Sequence, residues 1–284
     1  MADLVPRPDA DGGWPAPAKL NLMLRVVGRR ADGYHLLQTV FQFIDRVDRL
    51  YFTPRGDGRI VRGRGAAGVA PEQDLVVRAA QALRAETGCD AGVEIAVDKV
   101  LPMGGGLGGG SSDAATTLHA LNRLWGLGLD GERLAHIGLA LGADVPVFVR
   151  GRAAWAEGVG EELLPVSPPE PWYLVLVPPV AVSTAAVFND PQLTRDSPRI
   201  TMASFVAGEN ANDCLPVVRR RYPDVAAAFD WLADAGAEPR LTGTGACVFA
   251  SFDGESAARA VLAQTPARYA AFVARGCNRS PLFG

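Results

Sequence analysis

The sequence predicts an α+β fold, and both kinds of periodicity on which this prediction rests are visible in it. Leu20, Leu22 and Leu24 alternate with Asn21 and Met23, which is the period of two that is typical of a strand. Leu118, Leu121 and Leu124 instead recur every three residues, as on a helix face. Between a strand-like run and this helical pattern lies a glycine-rich stretch, 101–115, around which the rest of the chain is organised.

A chain of 284 residues allows one large domain or two of ordinary size, and we expect two because prolines cluster near its middle. A run of prolines marks the boundary between them and consists of Pro165, Pro168, Pro169 and Pro171. We therefore predict an amino-terminal domain of residues 1–163 that carries the glycine-rich stretch, and a carboxy-terminal domain of residues 164–284.

Composition excludes several classes of protein. Hydrophobic residues make up 48% and charged residues 21% of the chain, as in ordinary globular proteins. The net charge of −3 gives no reason to expect nucleic acid as a partner. No apolar run is long enough to span a bilayer, and residues 1–12 are polar and unlike a signal peptide. We expect a cytoplasmic protein without a membrane partner.

The cysteines and histidines give no indication of a metal site. Cys89, Cys214, Cys247 and Cys277 are scattered without a Cys-x-x-Cys spacing, and the three histidines do not cluster with them. Free buried thiols are the expected state, and no metal-ligating residue is predicted.

The glycine-rich stretch has the arrangement of an anion-binding loop. Six glycines fall within the seven positions 104–110, after the strand-like run 92–98 and before a helix. Strand, glycine loop and helix start direct backbone N–H groups and the positive end of a helix toward an anion. Ser111 and Ser112 stand where a helix cap or a phosphate contact is useful.

Three other interpretations of this loop are weaker. A P-loop requires a lysine after the glycines, and none is present. The dinucleotide pattern Gly-x-Gly-x-x-Gly matches only because a glycine run accommodates almost any spacing. A flexible linker seldom separates a hydrophobic strand from a well-patterned helix.

The remaining elements follow from periodicity and turn signals. Residues 54–73 are expected to form a hairpin and loop, and an apolar strand is expected directly after Asp144. The predicted strands lie within 14–28, 35–52, 92–98, 172–177 and near 270–275. The predicted helices cover about 75–87, 112–125, 132–141, 216–222, 224–235 and 255–264.

Three separated motifs resemble those of the GHMP kinases, named for galactokinase, homoserine kinase, mevalonate kinase and phosphomevalonate kinase. They are Pro-Ala-Lys-Leu-Asn-Leu at 17–22, the glycine-rich stretch, and Leu-Thr-Gly-Thr-Gly-Ala at 241–246. Their order and spacing agree with the family over almost the whole chain. The resemblance implies a two-domain GHMP kinase fold: an amino-terminal domain like domain 2 of ribosomal protein S5 and a ferredoxin-like carboxy-terminal domain.

The resemblance also implies where ATP binds. The glycine loop would hold its phosphates, and Lys99, at the end of the preceding strand, is a candidate beside the nucleotide. The expected nucleotide contacts are Lys99, Pro102, Gly104, Gly105, Gly106, Leu107, Gly108, Gly109, Gly110, Ser111 and Ser112. Most relatives carry Asn, which helps bind the adenosine, at the position of Asp74. This Asp either retains part of that role or caps the helix that follows it.

Lys19 and Asp144 are the catalytic residues that the resemblance implies. On the pattern alone, Lys19 is more typical of an exposed strand edge, and Asp144 of a turn residue. In the family, the lysine lies beside the reacting phosphate and the aspartate takes the proton of the substrate hydroxyl. Lys19 would keep Asp144 ionised and offset charge on the γ-phosphate.

One branch of the family carries Arg-Ala-Asp-Gly-Tyr-His, as at 30–35, and holds a cytidine there. The resemblance implies that Tyr34 and Phe188 stack on the two faces of a cytosine and that His35 bonds its edge. Asn21, Thr184 and Gly243 complete the expected substrate site.

The resemblance therefore implies an ATP- and Mg²⁺-dependent kinase. It would phosphorylate the 2-hydroxyl of 4-diphosphocytidyl-2-C-methyl-D-erythritol in the non-mevalonate isoprenoid pathway. The alternatives are another small-molecule kinase of the homoserine or mevalonate type, and a nucleotide-binding regulator without catalysis. We expect a monomer or a weak homodimer.

Overall fold

The computed structural model describes residues 5–66 and 68–284, and the first four residues of the expected polar tail lie outside this description. Its strands are β1 Trp14–Arg29, β2 His35–Arg55, β3 Ile60–Arg62, β4 Gly92–Asp98, β5 Ala154–Glu157, β6 Glu162–Pro165, β7 Trp172–Val177, β8 Arg240–Leu241, β9 Val248–Phe252 and β10 Ala270–Cys277. Its helices are α1 Leu75–Thr87, α2 Gly109–Leu124, α3 Gly131–Leu141, α4 Val145–Arg150, α5 Thr184–Phe188, α6 Met202–Val206, α7 Leu215–Arg221, α8 Pro223–Asp234 and α9 Glu255–Leu262.

The two long strands β1 and β2 pair antiparallel and form the centre of the amino-terminal half. Strand β2 also pairs with β4 and β5, and β10 continues the pairing from β2 to β7, β9 and β8. Because β10 bonds both β2 and β7, one strand from the end of the chain joins the sheets of the two halves.

Helices α1 to α4 cover one face of the amino-terminal sheet. Buried side chains of α1 and α2, among them Leu83 and Leu118, pack with Phe43 and Ile95 of the strands. A second core lies in the carboxy-terminal half, where β7 and β9 pack against α7 and α8. The mixture of packed helices and a mainly antiparallel sheet confirms the predicted α+β class.

The predicted domain boundary falls inside β6, which pairs with β5 of the preceding half. The last residues also return to the amino-terminal half, because Leu282 and Phe283 belong to its core. The division at residues 163 and 164 stays a prediction.

Two sequence-based expectations about local structure are corrected. Residues 54–73 hold the short strand β3, which pairs parallel with β4, so they are not a simple hairpin. The apolar run after Asp144 is the helix α4 and not a strand. Its residues 145–149 are all buried, so the run has no polar face whose period would distinguish helix from strand.

None of the helices within the described residues has the length and apolar character required to cross a membrane.

Candidate active site

The glycine loop runs from β4 into α2, as predicted, although α2 begins three residues earlier than expected. Gly104, Gly106 and Gly108 have φ values of +69°, +76° and +72°. Residues other than glycine rarely adopt this left-handed conformation, because the Cβ atom crowds the following carbonyl. Gly108 directly precedes α2, so the last left-handed residue turns the chain into the helix.

The loop packs against the third motif of the carboxy-terminal half. The N–H groups of Ala246 and Cys247 donate to the carbonyl oxygens of Gly104 and Gly105, at 3.2 and 3.1 Å. A Cβ atom on Gly106 would lie 2.2 Å from the carbonyl oxygen of Thr242. Gly106 is therefore needed for the contact between the two halves, in addition to any approach of the backbone to a phosphate.

A cavity of about 380 Å³ opens beside the loop, between the start of α1 and the start of α2. It is lined by most of the residues predicted to contact the nucleotide: Lys99, Pro102, Gly104, Gly105, Gly106, Leu107, Gly108, Gly109, Gly110 and Ser111. Ser112 is the exception, since it is fully buried and lines neither this cavity nor the larger one described below.

Lys99 lies between two carboxylates at the edge of this cavity. Its Nζ donates to Oδ2 of Asp48 at 2.5 Å and to Oδ2 of Asp113 at 2.6 Å. Asp48 is fully buried, and its Oδ1 accepts the N–H groups of Val100 and Leu101 at the entry to the glycine loop. Lys99 and Asp48 thus tie β2, the loop and α2 together.

The charges of this cluster do not balance, since two carboxylates face one ammonium. Burial lowers the pKa of Lys99, but the attraction of Asp113 and Asp48 outweighs it and leaves the pKa above its usual value. Burial raises the pKa of Asp113 to about 7, against the opposing effect of Lys99. The second oxygen of Asp113, Oδ1, is buried without a hydrogen-bond partner among the described residues. A carboxyl in this position favours its neutral form.

Asp74 caps α1, one of the two roles left open by the sequence. Its Oδ1 accepts the N–H of Val76 at 3.2 Å, and its Oδ2 lies 2.8 Å from Nη1 of Arg62. Asp74 also lines the smaller cavity, so capping does not remove it from the candidate nucleotide pocket.

A larger cavity of about 740 Å³ lies between the two halves. It shares Gly106, Gly108 and Ser111 with the smaller cavity, so the two meet at the glycine loop. Its size is within the usual range for sites that bind small molecules.

Lys19 and Asp144, 125 positions apart by their numbers in the sequence, meet at this junction. Nζ of Lys19 lies 3.2 Å from Oδ2 of Asp144, and both residues line the larger cavity. Lys19 is 3% exposed, contrary to the exposed strand edge that its pattern alone suggests, whereas the Asp144 side chain is 34% exposed. The carboxylate is therefore open to a ligand while the ammonium is fixed behind it.

The position of Lys19 is determined by its neighbours. Its Nζ donates to Oδ1 of Asn21 at 2.6 Å and to the carbonyl oxygen of Gly106 at 3.0 Å. Asn21 in turn donates from Nδ2 to Oγ1 of Thr39, and its N–H donates to Oγ1 of Thr242. Asn21 thus orients the lysine and links β1 to the third motif.

The remaining predicted substrate residues also line the larger cavity. Thr184 shares a hydrogen bond of 3.0 Å with Thr244, and Gly243 lies beside the side chain of Asn21. Tyr34 is 64% exposed at the cavity mouth.

The structure stacks His35, and not Tyr34, on Phe188. Their ring centroids are 5.0 Å apart with an angle of 27° between the ring planes. Since His35 covers part of Phe188, a base held between Tyr34 and Phe188 requires another face of the Phe188 ring. The stacking of Tyr34 on a base stays a prediction.

Several residues of the site gave no signal in the sequence. Asp48 and Asp113 meet Lys99 only through the pairing of β2 with β4 and the packing of α2. Asp113 directly follows the two serines of the motif, yet spacing alone does not reveal which side chain it faces. The rarity of lysine, present only as Lys19 and Lys99, was the one available hint.

No group of three or more His, Cys, Asp or Glu side chains suited to a metal ion occurs within residues 5–66 and 68–284.

Comparisons with known proteins identify the family. A model of the GHMP kinases N terminal domain matches residues 74–152, and a model of the GHMP kinases C terminal domain matches residues 201–271. The crystal structure of a 4-(cytidine 5′-diphospho)-2C-methyl-D-erythritol kinase superposes with a TM-score of 0.81 at 32% identity, over 93% of this chain and 98% of that one. A homoserine kinase from Cytophaga hutchinsonii shares the fold, with a TM-score of 0.66 at 18% identity.

Relatives in sequence agree with these structures. The 4-diphosphocytidyl-2-C-methyl-D-erythritol kinase of Nitrosococcus oceani is 59% identical over 269 residues, which cover 95% of this chain and 96% of the relative. The enzyme of the same name from Halorhodospira halophila is 58% identical over 273 residues, 95% and 94% of the two chains. The chain belongs to the 4-diphosphocytidyl-2-C-methyl-D-erythritol kinase family of the GHMP kinases.

Proposed function

We propose that this protein transfers the γ-phosphoryl group of ATP to the 2-hydroxyl of 4-diphosphocytidyl-2-C-methyl-D-erythritol, a step of the non-mevalonate isoprenoid pathway. One observation carries most of the proposal. The Lys19–Asp144 pair lies where a cavity bordered by the glycine loop meets a second, larger cavity. A phosphoryl donor and an acceptor held in these two cavities would meet at that pair.

ATP would occupy the smaller cavity with its phosphates against the glycine loop. Backbone N–H groups at the start of α2 and the positive end of this helix suit the phosphate charge. Lys99 and Asp74 would lie toward the rest of the nucleotide, since both line the same cavity.

The substrate would occupy the larger cavity, with its cytosine near Tyr34, His35 and Phe188 and its hydroxyl near Asp144. Asp144 would accept the hydroxyl proton as the oxygen attacks the γ-phosphorus. Lys19 would offset charge on the transferring group, because its ammonium is held within 3.2 Å of that carboxylate. Phosphoryl transfer depends mainly on such positioning and charge stabilisation.

Mg²⁺ would supply further charge neutralisation when it is bound with ATP. The donors at the junction, the Asp144 carboxylate and the Ser111 hydroxyl, are few. Because Asp144 is the proposed proton acceptor, phosphate oxygens and water would provide most of the Mg²⁺ ligands, with the Ser111 hydroxyl beside them; this agrees with the few protein ligands that Mg²⁺ usually takes.

The carboxy-terminal half favours the cytidylated substrate over homoserine or mevalonate, because it contributes Phe188 and Thr184 to the cavity. A turnover assay with the cytidylated alcohol, homoserine and mevalonate tests this choice. We expect phosphorylation of the first alone. Phosphorylation of homoserine or mevalonate at a similar kcat/KM would overturn it, and ATP binding without turnover of any of the three would indicate a regulator.

The predictions of a cytoplasmic location and of a monomer or weak homodimer stand as part of this proposal.

A further inference from the structure

Arg195 makes an unusually complete set of hydrogen bonds beside the base end of the larger cavity. Its Nη2 donates to the carbonyl oxygens of Phe188 and Asp190, each at 2.8 Å, and its Nη1 donates to that of Leu193 at 3.1 Å. Its Nε donates to Nε2 of His35 at 3.1 Å. One guanidinium therefore fixes both the segment after α5 and a side chain of β2.

Arg195 does not itself line the cavity, whereas two of the four residues to which it donates, His35 and Phe188, do. His35 and Phe188 face the cavity and stack on each other, with ring centroids 5.0 Å apart. Any effect of Arg195 on a ligand must therefore pass through these two rings.

The contact with Arg195 determines the protonation of His35. A guanidinium only donates hydrogen bonds and keeps its charge, so Nε2 of His35 must accept. A neutral imidazole has one accepting and one donating nitrogen, so the proton is on Nδ1. Burial, Arg195 and Arg29 all lower the pKa of His35 below its usual value. The other ionisable residues that line the cavity are Asp32 and Tyr34, on the turn before β2, and Lys19 and Asp144 at the junction.

We propose that Arg195 is a positioning and specificity-determining residue of the base pocket. It holds His35 as a neutral ring that donates from Nδ1, and it holds Phe188 against that ring, so that the pocket prefers a pyrimidine whose N3 accepts a hydrogen bond. The inference rests on the proposed function. O2 accepts in both cytosine and uracil, but N3 accepts in cytosine and carries a proton in uracil, so a donor directed at N3 discriminates between them.

Binding of cytidine 5′-diphosphate and uridine 5′-diphosphate, measured by calorimetry, tests the inference without the reaction. We expect the unmodified protein to prefer the cytidine nucleotide. Arg195→Gln removes the charge and three of the donors. It should weaken binding of the cytidine nucleotide about tenfold or more, because a tenfold change in affinity corresponds to the free energy of about one hydrogen bond. The affinities for the two nucleotides should then lie within about threefold of each other. Arg195→Lys should give an intermediate result, since one ammonium lacks the planar fork that reaches these acceptors.

Arg220→Gln is the matched control. Arg220 pairs with the side chain of Asp190 in the same segment, but it makes no hydrogen bond with His35 among the described residues. It should leave the preference for cytidine unchanged. Equal effects of the control and Arg195→Gln would reduce Arg195 to a structural role and overturn the inference.

The pH profile gives a second readout that loss of structure does not mimic. In the unmodified protein, the pH at which the affinity for the cytidine nucleotide changes should lie below that in Arg195→Gln, because Arg195 helps to lower the pKa of His35. In Arg195→Gln, the pKa of His35 should return toward about 6.5, so the affinity should change through that pH. A flat profile in a folded Arg195→Gln variant would contradict the proposal.

Steady-state kinetics separates this inference from the proposed function. Arg195→Gln should raise the KM for the cytidylated alcohol and leave the KM for ATP and the kcat within about threefold, an effect on binding and not on the chemical step. If the unmodified protein binds neither nucleotide, the proposed function fails. If it prefers the cytidine nucleotide and Arg195→Gln keeps that preference, only the role of Arg195 fails.

Discussion

Replacing Lys99 with methionine removes the ammonium group that bonds the two buried carboxylates of Asp48 and Asp113. Lys99 is 17% exposed, and Asp48 and Asp113 are 0% and 8% exposed. Removal of one partner from a buried ion pair typically costs about 3–5 kcal/mol, because a charge remains without compensation. Asp48 retains the N–H groups of Val100 and Leu101, so we expect the lower end of this range, about 3 kcal/mol at pH 8.

The loss should depend on pH. The pKa of Asp113 is raised to about 7 in the folded protein, whereas an unfolded aspartate has a pKa of about 3.9. Between these values the folded state binds more protons than the unfolded state, so the stability contributed by this group falls as the pH rises toward about 7. Without Lys99, the pKa of Asp113 rises further, and Lys99→Met should therefore be more destabilising at pH 8 than at pH 6.

Urea denaturation of the unmodified protein and of Lys99→Met at both pH values measures these effects. Arg64→Met is the matched control, since Arg64 pairs with Asp98 at the surface, where ion pairs are typically worth about 0–1 kcal/mol. The double variant Lys99→Met, Asp113→Asn should recover part of the loss. A loss of unfolding free energy below about 1 kcal/mol at pH 8, or a loss that is equal at both pH values, would show that Lys99 does not compensate the charges of the two buried carboxylates.

Two further variants test the loop and the base pocket. Gly106→Ala should abolish ATP binding or folding, because its Cβ atom would lie 2.2 Å from the carbonyl oxygen of Thr242. In Gly104→Ala the Cβ atom meets nothing within 4 Å, so this variant should cost only the strain of the left-handed conformation, about 1–2 kcal/mol. Calorimetry with ATP and thermal unfolding compare the two variants, and equal behaviour would show that the contact with Thr242 is unimportant. Tyr34→Ala and Phe188→Ala should each raise the KM for the cytidylated substrate by the equivalent of about 1–3 kcal/mol and leave the KM for ATP unchanged. Unchanged values for both variants would remove the cytidine pocket.

The strand, the glycine loop and the helix around residues 92–124 could be predicted from local patterns. The run 92–98, the glycines and the leucines of α2 specify strand, loop and helix without long-range information. The cap by Asp74 was one of two predicted alternatives and follows from a short side chain that reaches the N–H two residues on. The run after Asp144 was predicted wrongly, because burial on all sides removes the periodicity.

The electrostatic partners of the site could not be predicted. Lys99 pairs with Asp48, 51 positions earlier in the chain, and this contact follows from the register between β2 and β4. Arg195 reaches His35 across 160 positions, through a segment without regular secondary structure. In both cases, tertiary packing determines which of many polar or charged residues becomes the partner, so the pairing cannot be predicted from the spacing of residues along the chain.

The central claim is that Asp144 accepts the proton of the substrate hydroxyl while Lys19 stabilises the transferring group. Rapid-quench single-turnover measurement of phosphoryl transfer with Asp144→Asn tests this most directly, with Asp45→Asn on β2 as a control outside the cavity. We expect the rate in Asp144→Asn to fall by about 10²–10⁴-fold with near-normal binding of both substrates, and the rate in Asp45→Asn to be unchanged. The double variant with Lys19→Met should be little slower than the slower single variant, because the two residues act as one unit. A rate within a few-fold of the unmodified protein in Asp144→Asn would contradict the claim.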